Sequence, residues 1–285
     1  MNPQPPTPLS NTEKLAYSTV RIESTDSSGG ISNGTGFFFN FLLNPEKKTA
    51  IPVILTNKHV VNGAVKGRFV LTKADANGKA LDDQHFPLDV SAFGQRWINH
   101  PDPDVDLCAF PIGALLTQLR SMGHLFAISY LDSSIILKAS EEASLDAMEE
   151  ILMVGYPNGI WDDVNNKPIF RRGVTATHPA KNYRGKKEFV IDAACFPGSS
   201  GSPVFIHNVG SYAMKTGSLA IGSRTKLLGL LYAGPQQDIT GEIRIVDVPT
   251  AQMPMSMSRV MINLGFVIKA ERIIELEEKF KNPTQ

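Results

Sequence analysis

Cysteine, net charge and long apolar runs are all scarce in this sequence. Only Cys108 and Cys195 occur, and neither has a second cysteine or a histidine at metal-ligand spacing, which argues against a disulfide framework or a zinc site. We expect two buried, reduced thiols and no metal. The 28 basic residues balance the 28 acidic ones, so no net field attracts nucleic acid or an anionic membrane. No apolar run approaches the roughly 18 residues of a membrane span, so we expect no membrane embedding.

The beginning of the chain lacks the features of a secretory signal. Residues 1–10 contain four prolines and no basic segment followed by an apolar one. Together with the two thiols, this predicts a cytoplasmic protein. We expect residues 1–14 to form a flexible, proline-rich tail.

Short apolar and β-branched runs recur along the chain and are separated by clusters of Gly, Pro, Asn and Asp. This pattern is typical of an all-β sandwich or barrel rather than of βαβ units. It predicts strands near residues 16–23, 35–43, 51–56, 67–73, 105–110, 150–155, 169–176, 187–194, 203–206, 227–233 and 264–268. This number of strands suits two barrels.

Three segments depart from the strand pattern. Residues 113–148 combine leucines at helical spacing with an acidic stretch, which predicts a connection between barrels with some helix. The segment from His207 to Leu227 is rich in Gly, Ser and Thr and is predicted to be a long loop. Residues 270–281 carry an apolar stripe of Ile273, Leu276 and Phe280, which predicts a C-terminal helix packed on the body.

A serine stands between glycines in Pro197-Gly198-Ser199-Ser200-Gly201, just before an apolar run. Such a turn exposes a hydroxyl, which becomes a nucleophile only beside a histidine base and an orienting carboxylate. His59 lies at a strand-to-turn corner, and Asp106 opens an apolar run where a carboxylate needs a donor such as an imidazole N–H. The backbone N–H groups of Gly198 and Ser200 have the spacing of an oxyanion hole. We therefore predict a catalytic triad of His59, Asp106 and Ser200.

Other kinds of site fit these residues less well. The aspartates of residues 102–106 suggest a calcium loop, but its sixth and twelfth positions hold Leu107 and Gly113 instead of glycine and glutamate. An α/β-hydrolase elbow requires an acid and then a histidine after the serine. The only histidine after Ser200 in the sequence is His207, so this order fits poorly. No phosphate-binding loop and no H-E-x-x-H motif occurs.

With His59, Asp106 and Ser200 in this order, the sequence resembles the chymotrypsin-like serine proteases, and within them the HtrA/DegP-type branch. The similarity covers most of residues 16–281. It rests on the segments at residues 34–37, 54–61, 106–109, 153–159, 191–194 with 197–201, and 265–268. The resemblance implies two six-stranded antiparallel β-barrels with the triad in the cleft between them, hydrolysis of peptide bonds through an acyl-enzyme, and no metal or organic cofactor.

The resemblance also implies one protease domain over residues 15–282. Its first barrel is expected at about 15–112, the inter-barrel segment at about 113–148, the second barrel at about 149–268 and the C-terminal helix at about 270–281. No PDZ domain, which is common in the HtrA branch, is expected. The partner is a protein or peptide substrate, and a homo-oligomer or a regulatory partner protein stays open.

The residues that would line the family's specificity pocket are Ala194, Cys195, Ala233 and Gly234, and none of them is charged. Lys or Arg at the cleavage site would lack a counter-ion there. We therefore expect cleavage after small to medium apolar residues.

Two departures from the family pattern bear on activity. Ser199 replaces the aspartate with which secreted zymogens capture a newly cut N-terminus, so we expect no activation of that kind. Tyr232 stands where the family has a Ser or Thr that touches the catalytic aspartate, which puts the support of Asp106 in doubt. A catalytically inactive, peptide-binding scaffold is therefore an alternative, and an esterase with the same triad is another.

Overall fold

A computed structural model describes residues 8–157, 160–234, 236–242, 255–261 and 263–281 of the chain. Residues 1–7 of the expected tail lie outside these ranges. The segment up to residue 14 is not an irregular tail throughout, because helix α1 spans Asn11–Tyr17. Ser10 and Glu13 form a capping box, in which each side chain accepts the other residue's backbone N–H.

The first sheet contains eight strands in the order β5-β4-β1-β2-β3-β7-β6, with β8 parallel to β2. The strands are β1 (Thr19–Thr25), β2 (Ile31–Asn44), β3 (Thr49–Thr56), β4 (Lys66–Ala74), β5 (Ala80–Ser91), β6 (Ile98–Asn99), β7 (Cys108–Pro111) and β8 (Leu131–Asp132).

The prediction of a closed first barrel is wrong for the described residues, because β5 and β6 remain the two ends of the sheet. Strand β6 has two residues and pairs with β7 alone. A 3-10 turn, Phe93–Arg96, leads from β5 towards β6 instead. Its Phe93 packs on Phe69 at a ring distance of 5.4 Å and on Trp97 at 5.5 Å. These aromatic side chains belong to the core of the first sheet.

The second sheet is a closed barrel in the order β10-β11-β18-β15-β12-β9, which confirms the prediction of a six-stranded antiparallel barrel here. Its strands are β9 (Glu150–Gly155), β10 (Ile169–Thr175), β11 (Glu188–Asp192), β12 (Pro203–Asn208), β15 (Arg224–Ala233) and β18 (Leu264–Lys269). The segment expected to be a long loop contains a hairpin of β13 (Ser211–Ala213) and β14 (Leu219–Ile221). A second hairpin pairs β16 (Gln236–Glu242) with β17 (Met255–Met261).

The remaining helices are short, except for the predicted C-terminal one. They are α2 (Lys58–Val61), α3 (Gly113–Ser121), α4 (Ala139–Glu142) and α5 (Glu271–Lys281), and a 3-10 turn spans Ser133–Ile135. Helix α5 buries Ile273 and Leu276 in a core that also contains Phe39 of the first sheet and Val154 of the second. This shared core fixes the two sheets against each other. No helix among the described residues is long and apolar enough to cross a membrane.

Candidate active site

His59 stands on a short turn that is anchored by apolar side chains. Strand β3 and helix α2 meet at Asn57, and the following Val60 and Val61 are buried in the core of the first sheet. The His59 side chain is 48% exposed. A Cβ on Gly34 would lie 2.4 Å from Val60 Cγ1. The absence of a side chain at this one position of β2 therefore lets the turn of His59 pack closely against the strand. The buried valines therefore hold the backbone while the imidazole faces outward.

Both carboxylate oxygens of Asp106 contact His59. The distance from His59 Nδ1 to Asp106 Oδ2 is 2.5 Å, and the backbone N–H of His59 donates to Asp106 Oδ1 at 3.1 Å. The Asn57 side chain donates to the backbone carbonyl of Asp106 at 2.7 Å. Asp106 precedes β7 by two residues rather than opening a strand. Because the carboxylate faces Nδ1, the Nε2 atom of His59 is the nitrogen that can act as a base.

Ser200 is the accessible serine of the turn that leads into β12. Its neighbours Ser199 and Ser202 are fully buried, whereas Ser200 is partly exposed. Gly198 and Gly201 both have φ of 83°, a conformation that side chains disfavour. The glycines thus allow the sharp turn that presents Ser200, as the sequence predicts.

Two backbone donors of this turn have no partner among the described residues, namely the N–H groups of Gly198 and Ser200. The N–H of the intervening Ser199 points elsewhere and donates to the carbonyl of Phe196 at 3.0 Å. Unpaired donors beside a nucleophile are what an oxyanion requires. The turn can therefore receive a negatively charged oxygen without breaking an internal hydrogen bond.

Thr35 on β2 connects the serine turn to the first sheet. Its N–H donates to Ser200 O at 2.9 Å, and its hydroxyl donates to Gly198 O at 3.1 Å. The hydroxyl also accepts the N–H of Tyr156 at 3.0 Å, and Thr35 O accepts from the Thr56 hydroxyl at 2.7 Å. Sequence reasoning gave Thr35 no role of its own. The available signal was a polar residue between two glycines in an apolar strand.

The four predicted pocket residues do not contribute in the same way. Ala194, Ala233 and Gly234 are partly exposed. Cys195 is 2% exposed, and a Cβ on Gly265 would lie 2.6 Å from its Sγ, so its side chain belongs to the barrel core. Only the backbone of Cys195 is therefore available to line a pocket.

A buried arginine that was not predicted lies next to these pocket residues. Arg171 Nη1 donates to Ala194 O at 2.6 Å and to Ser199 Oγ at 2.8 Å. Burial lowers the pKa of Arg171 to about 10, which leaves the guanidinium charged at neutral pH. The sequence offers no signal for this residue, because two consecutive arginines in a strand do not reveal which one is buried.

Among the described residues, the Tyr232 hydroxyl makes no hydrogen bond to Asp106, the carboxylate that it was expected to affect. Its hydroxyl donates to Glu188 Oε2 at 2.9 Å. Burial, followed by the interaction with Glu188, raises the pKa of Tyr232 well above its usual range. Asp106 instead takes its second hydrogen bond from the backbone of His59. Within the part of the chain that the structure describes, Asp106 is therefore held by His59 rather than by Tyr232.

The described residues offer neither a metal site nor a reactive thiol. Among them, no three His, Cys, Asp or Glu side chains lie close enough together to hold a metal ion. Cys108 and Cys195 are buried and unpaired. Burial raises the pKa of both thiols, so they stay protonated at neutral pH and are poor nucleophiles.

The fold is similar to those of solved proteases. The structure of the HtrA-type protease AlgW with a tripeptide matches at 17% sequence identity and a TM-score of 0.51, over 96% of this chain and 63% of that chain. The active form of the Rv3671c protease from M. tuberculosis matches at 16% identity and a TM-score of 0.48, over 100% of this chain and 95% of that chain. The chain thus spans less than two thirds of the AlgW chain, and at 17% identity the likeness to AlgW shows the fold alone.

Comparison at the level of sequence assigns the family. No curated protein matches the chain. The model of the trypsin-like peptidase domain matches residues 34–210, a range that contains His59, Asp106 and Ser200. Since this range is more than half of the chain, the protein belongs to the trypsin-like peptidase family.

Proposed function

We propose that this protein is a serine endopeptidase that hydrolyses peptide bonds through an acyl-enzyme. The observation that carries the proposal is the 2.5 Å contact between His59 Nδ1 and Asp106 Oδ2. The accessible Ser200 and the unpaired N–H groups of its turn supply the remaining functions.

In the proposed reaction, Ser200 Oγ attacks the scissile carbonyl while His59 Nε2 removes its proton. The resulting oxyanion accepts hydrogen bonds from the N–H groups of Gly198 and Ser200. His59 then returns the proton to the leaving amine, and Asp106 stabilises the intervening imidazolium. Ser200 Oγ makes no hydrogen bond within the described residues. A catalytic hydrogen bond such as the one proposed between Ser200 and His59 often tightens only when substrate binds.

The proposed substrates carry a small or medium apolar residue at the cleavage site. The exposed surfaces of Ala194, Ala233 and Gly234 offer no negative charge to a Lys or Arg side chain. In a library of peptides varied at the cleavage site, Ala, Val and Leu should lead, and dominance of Lys or Arg would contradict this specificity.

A fluorophosphonate probe tests the proposed nucleophile. The wild type should be labelled, and Ser200→Ala should not. Ser202→Ala is the matched control, because it removes a buried hydroxyl without a hydrogen-bond partner two residues away and should leave labelling intact. A correctly folded wild type that resists the probe would instead support the inactive scaffold, and labelling that survives Ser200→Ala would refute the assignment.

Turnover distinguishes a peptidase from an esterase. The wild type should cleave a folded protein or a peptide as well as an activated ester, whereas an esterase would cleave the ester alone. For the peptide, His59→Ala should lower kcat by a factor of about 10⁶, as in other triads whose histidine is removed.

A further inference from the structure

Arg171 is the one residue of its strand whose charged end turns towards the serine turn. Its neighbours on β10 face the other way, since Phe170 is 40% exposed and the Arg172 side chain is 77% exposed and pairs with Glu150. The alternation of a β-strand therefore sends the guanidinium of Arg171 inward. There, Nη1 donates to Ala194 O at 2.6 Å and to Ser199 Oγ at 2.8 Å.

We infer that Arg171 is a positioning residue that holds the oxyanion-binding turn in its active arrangement. The inference rests on the proposed function, because it assigns Arg171 to the stabilisation of that reaction's intermediate.

The two acceptors of Arg171 mark the two ends of the segment that carries Gly198. Ala194 precedes Gly198, and Ser199 follows Gly198 directly. Ser199 Oγ also accepts the N–H of Phe196 at 3.2 Å, so the guanidinium and the turn share one anchor atom. The N–H of Ser200 belongs to the peptide that begins at Ser199. Fixing Ser199 therefore constrains both oxyanion donors, one on each side of it.

The charge of Arg171 is not explained by an ion pair. Burial lowers its pKa to about 10, and no carboxylate contributes to that pKa. Its Nε and Nη2 atoms are buried without a hydrogen-bond partner among the described residues. A buried cation with unpaired donors lowers stability relative to an apolar side chain of similar size. The contacts of Arg171 with the serine turn therefore explain why this arrangement is present despite its cost in stability.

The same geometry argues against direct substrate recognition by Arg171. The guanidinium nitrogens that lack partners are inaccessible to solvent, so a substrate side chain does not reach them. Nη1 is already engaged by the turn. Arg171 is therefore expected to affect the rate of the chemical step rather than the choice of the cleaved residue.

The test compares Arg171→Met with Arg171→Lys and with the matched control Arg172→Met on the same strand. Each variant is assayed with a peptide substrate, with a peptide boronic acid that places an anionic oxygen at the turn, and with the product peptide. Removing one oxyanion donor in comparable enzymes lowers kcat by about 10² to 10³, and we expect Arg171→Met to lower kcat by about 10². KM and product binding should stay within about threefold, while boronic acid binding weakens in parallel with kcat. Arg171→Lys should recover part of kcat, and Arg172→Met should match the wild type.

A second variant removes the acceptor without changing the buried charge, which keeps the test decisive if Arg171→Met does not fold. Ser199→Ala should lower kcat in the same direction, and the loss in the double variant should be smaller than the product of the two single losses, because both changes break the contact between Arg171 and Ser199. Wild-type kcat in folded Arg171→Met, a normal rate in Ser199→Ala, or an altered cleavage-site preference would each overturn the inference while leaving the peptidase intact. A wild type without turnover would overturn both proposals.

Discussion

The backbone N–H of Thr35 in the first sheet donates a hydrogen bond of 2.9 Å to the carbonyl of Ser200 in the turn that leads into β12 of the second sheet. His59 follows β3, which pairs with the strand of Thr35. The proposed base and the proposed nucleophile are therefore positioned by one strand, although they are 141 residues apart in the numbering of the chain. Fully buried Thr35 is thus a structural link between the two halves of the site.

Thr35→Val should impair both activity and stability. The change keeps the shape of the side chain but removes the hydroxyl that bonds Gly198 O and the Tyr156 N–H. Leaving a buried polar group unpaired costs about 1–3 kcal/mol, so we expect the free energy of unfolding to fall by about that amount. We also expect kcat to drop by about tenfold or more, since the turn of Gly198 loses an anchor. Urea unfolding and peptide hydrolysis measure the two effects. Thr35→Ser, which retains the hydroxyl, should recover most of both, and a Val variant as active as the wild type would contradict this role.

Gly201→Ala should disrupt the serine turn far more than the same change at Gly210. Both residues have nearly equal φ, 83° and 85°, so a left-handed backbone penalises alanine by about 1–2 kcal/mol at each. At Gly210 a Cβ meets nothing within 4 Å, but at Gly201 it would lie 2.0 Å from Thr35 O. We expect the loss of unfolding free energy at Gly201 to be at least twice that at Gly210. Fluorophosphonate labelling should slow at least about tenfold only in Gly201→Ala. Equal effects of the two changes would show that the close approach to Thr35 is unimportant.

Features encoded locally could be predicted from the sequence. Short apolar and β-branched runs indicated the strands of the closed second barrel, and the stripe of Ile273 and Leu276 indicated helix α5, because each pattern reflects burial of apolar side chains. The glycines beside Ser200 indicated a turn, and both have positive φ. The segment expected to be a loop contains the β13–β14 hairpin. These strands could not be recognised in the sequence, because they have only three residues each and leave Leu219 and Ile221 exposed.

Features set by distant partners could not be predicted. The first sheet stays open because β5 and β6 do not pair with each other, and such pairing depends on how the two strands meet in space. The buried contacts of Arg171 join residues from separate strands and turns, and no spacing in the sequence encodes them. That the thiol of Cys195 points into the core and leaves only its backbone to line a pocket could not be predicted either, because its position in the sequence does not show the direction of the side chain.

Tyr232→Phe should leave catalysis nearly unchanged. The hydroxyl bonds Glu188 and not Asp106, so its removal should lower the free energy of unfolding by about 1 kcal/mol and keep kcat within about threefold. Tyr183→Phe is a matched control, since the Tyr183 ring lies 5.9 Å from Phe266 and the Tyr232 ring lies 6.3 Å from it. Steady-state kinetics and urea unfolding of both variants provide the measurement. A large loss of kcat in folded Tyr232→Phe would revive the view that this tyrosine supports the catalytic aspartate.

His100 should make the fold sensitive to mild acid. Its side chain is fully buried, and its Nδ1 accepts the N–H of Asp102 at 3.0 Å. Its Nε2 lies 3.4 Å from Glu275 Oε2 but makes no hydrogen bond. Burial lowers the pKa of His100 below its ordinary value of 6.5, and the charge of Arg272 acts in the same direction, against the opposing effects of Glu275 and Asp102.

Because the folded-state pKa is the lower one, the unfolded chain takes up a proton at His100 first as the pH falls. The contribution of His100 to stability is therefore fully present above pH 6.5 and declines as the pH falls below it towards the folded-state pKa. One such proton accounts for at most about 1.4 kcal/mol per pH unit. Urea unfolding at pH 7.5 and 5.5 should show a smaller loss of unfolding free energy in His100→Gln than in the wild type, whereas His124→Gln, at a partly exposed site, controls for the removal of an imidazole. An equal loss in wild type and His100→Gln would mean that His100 takes up its proton equally readily in the folded and the unfolded chain.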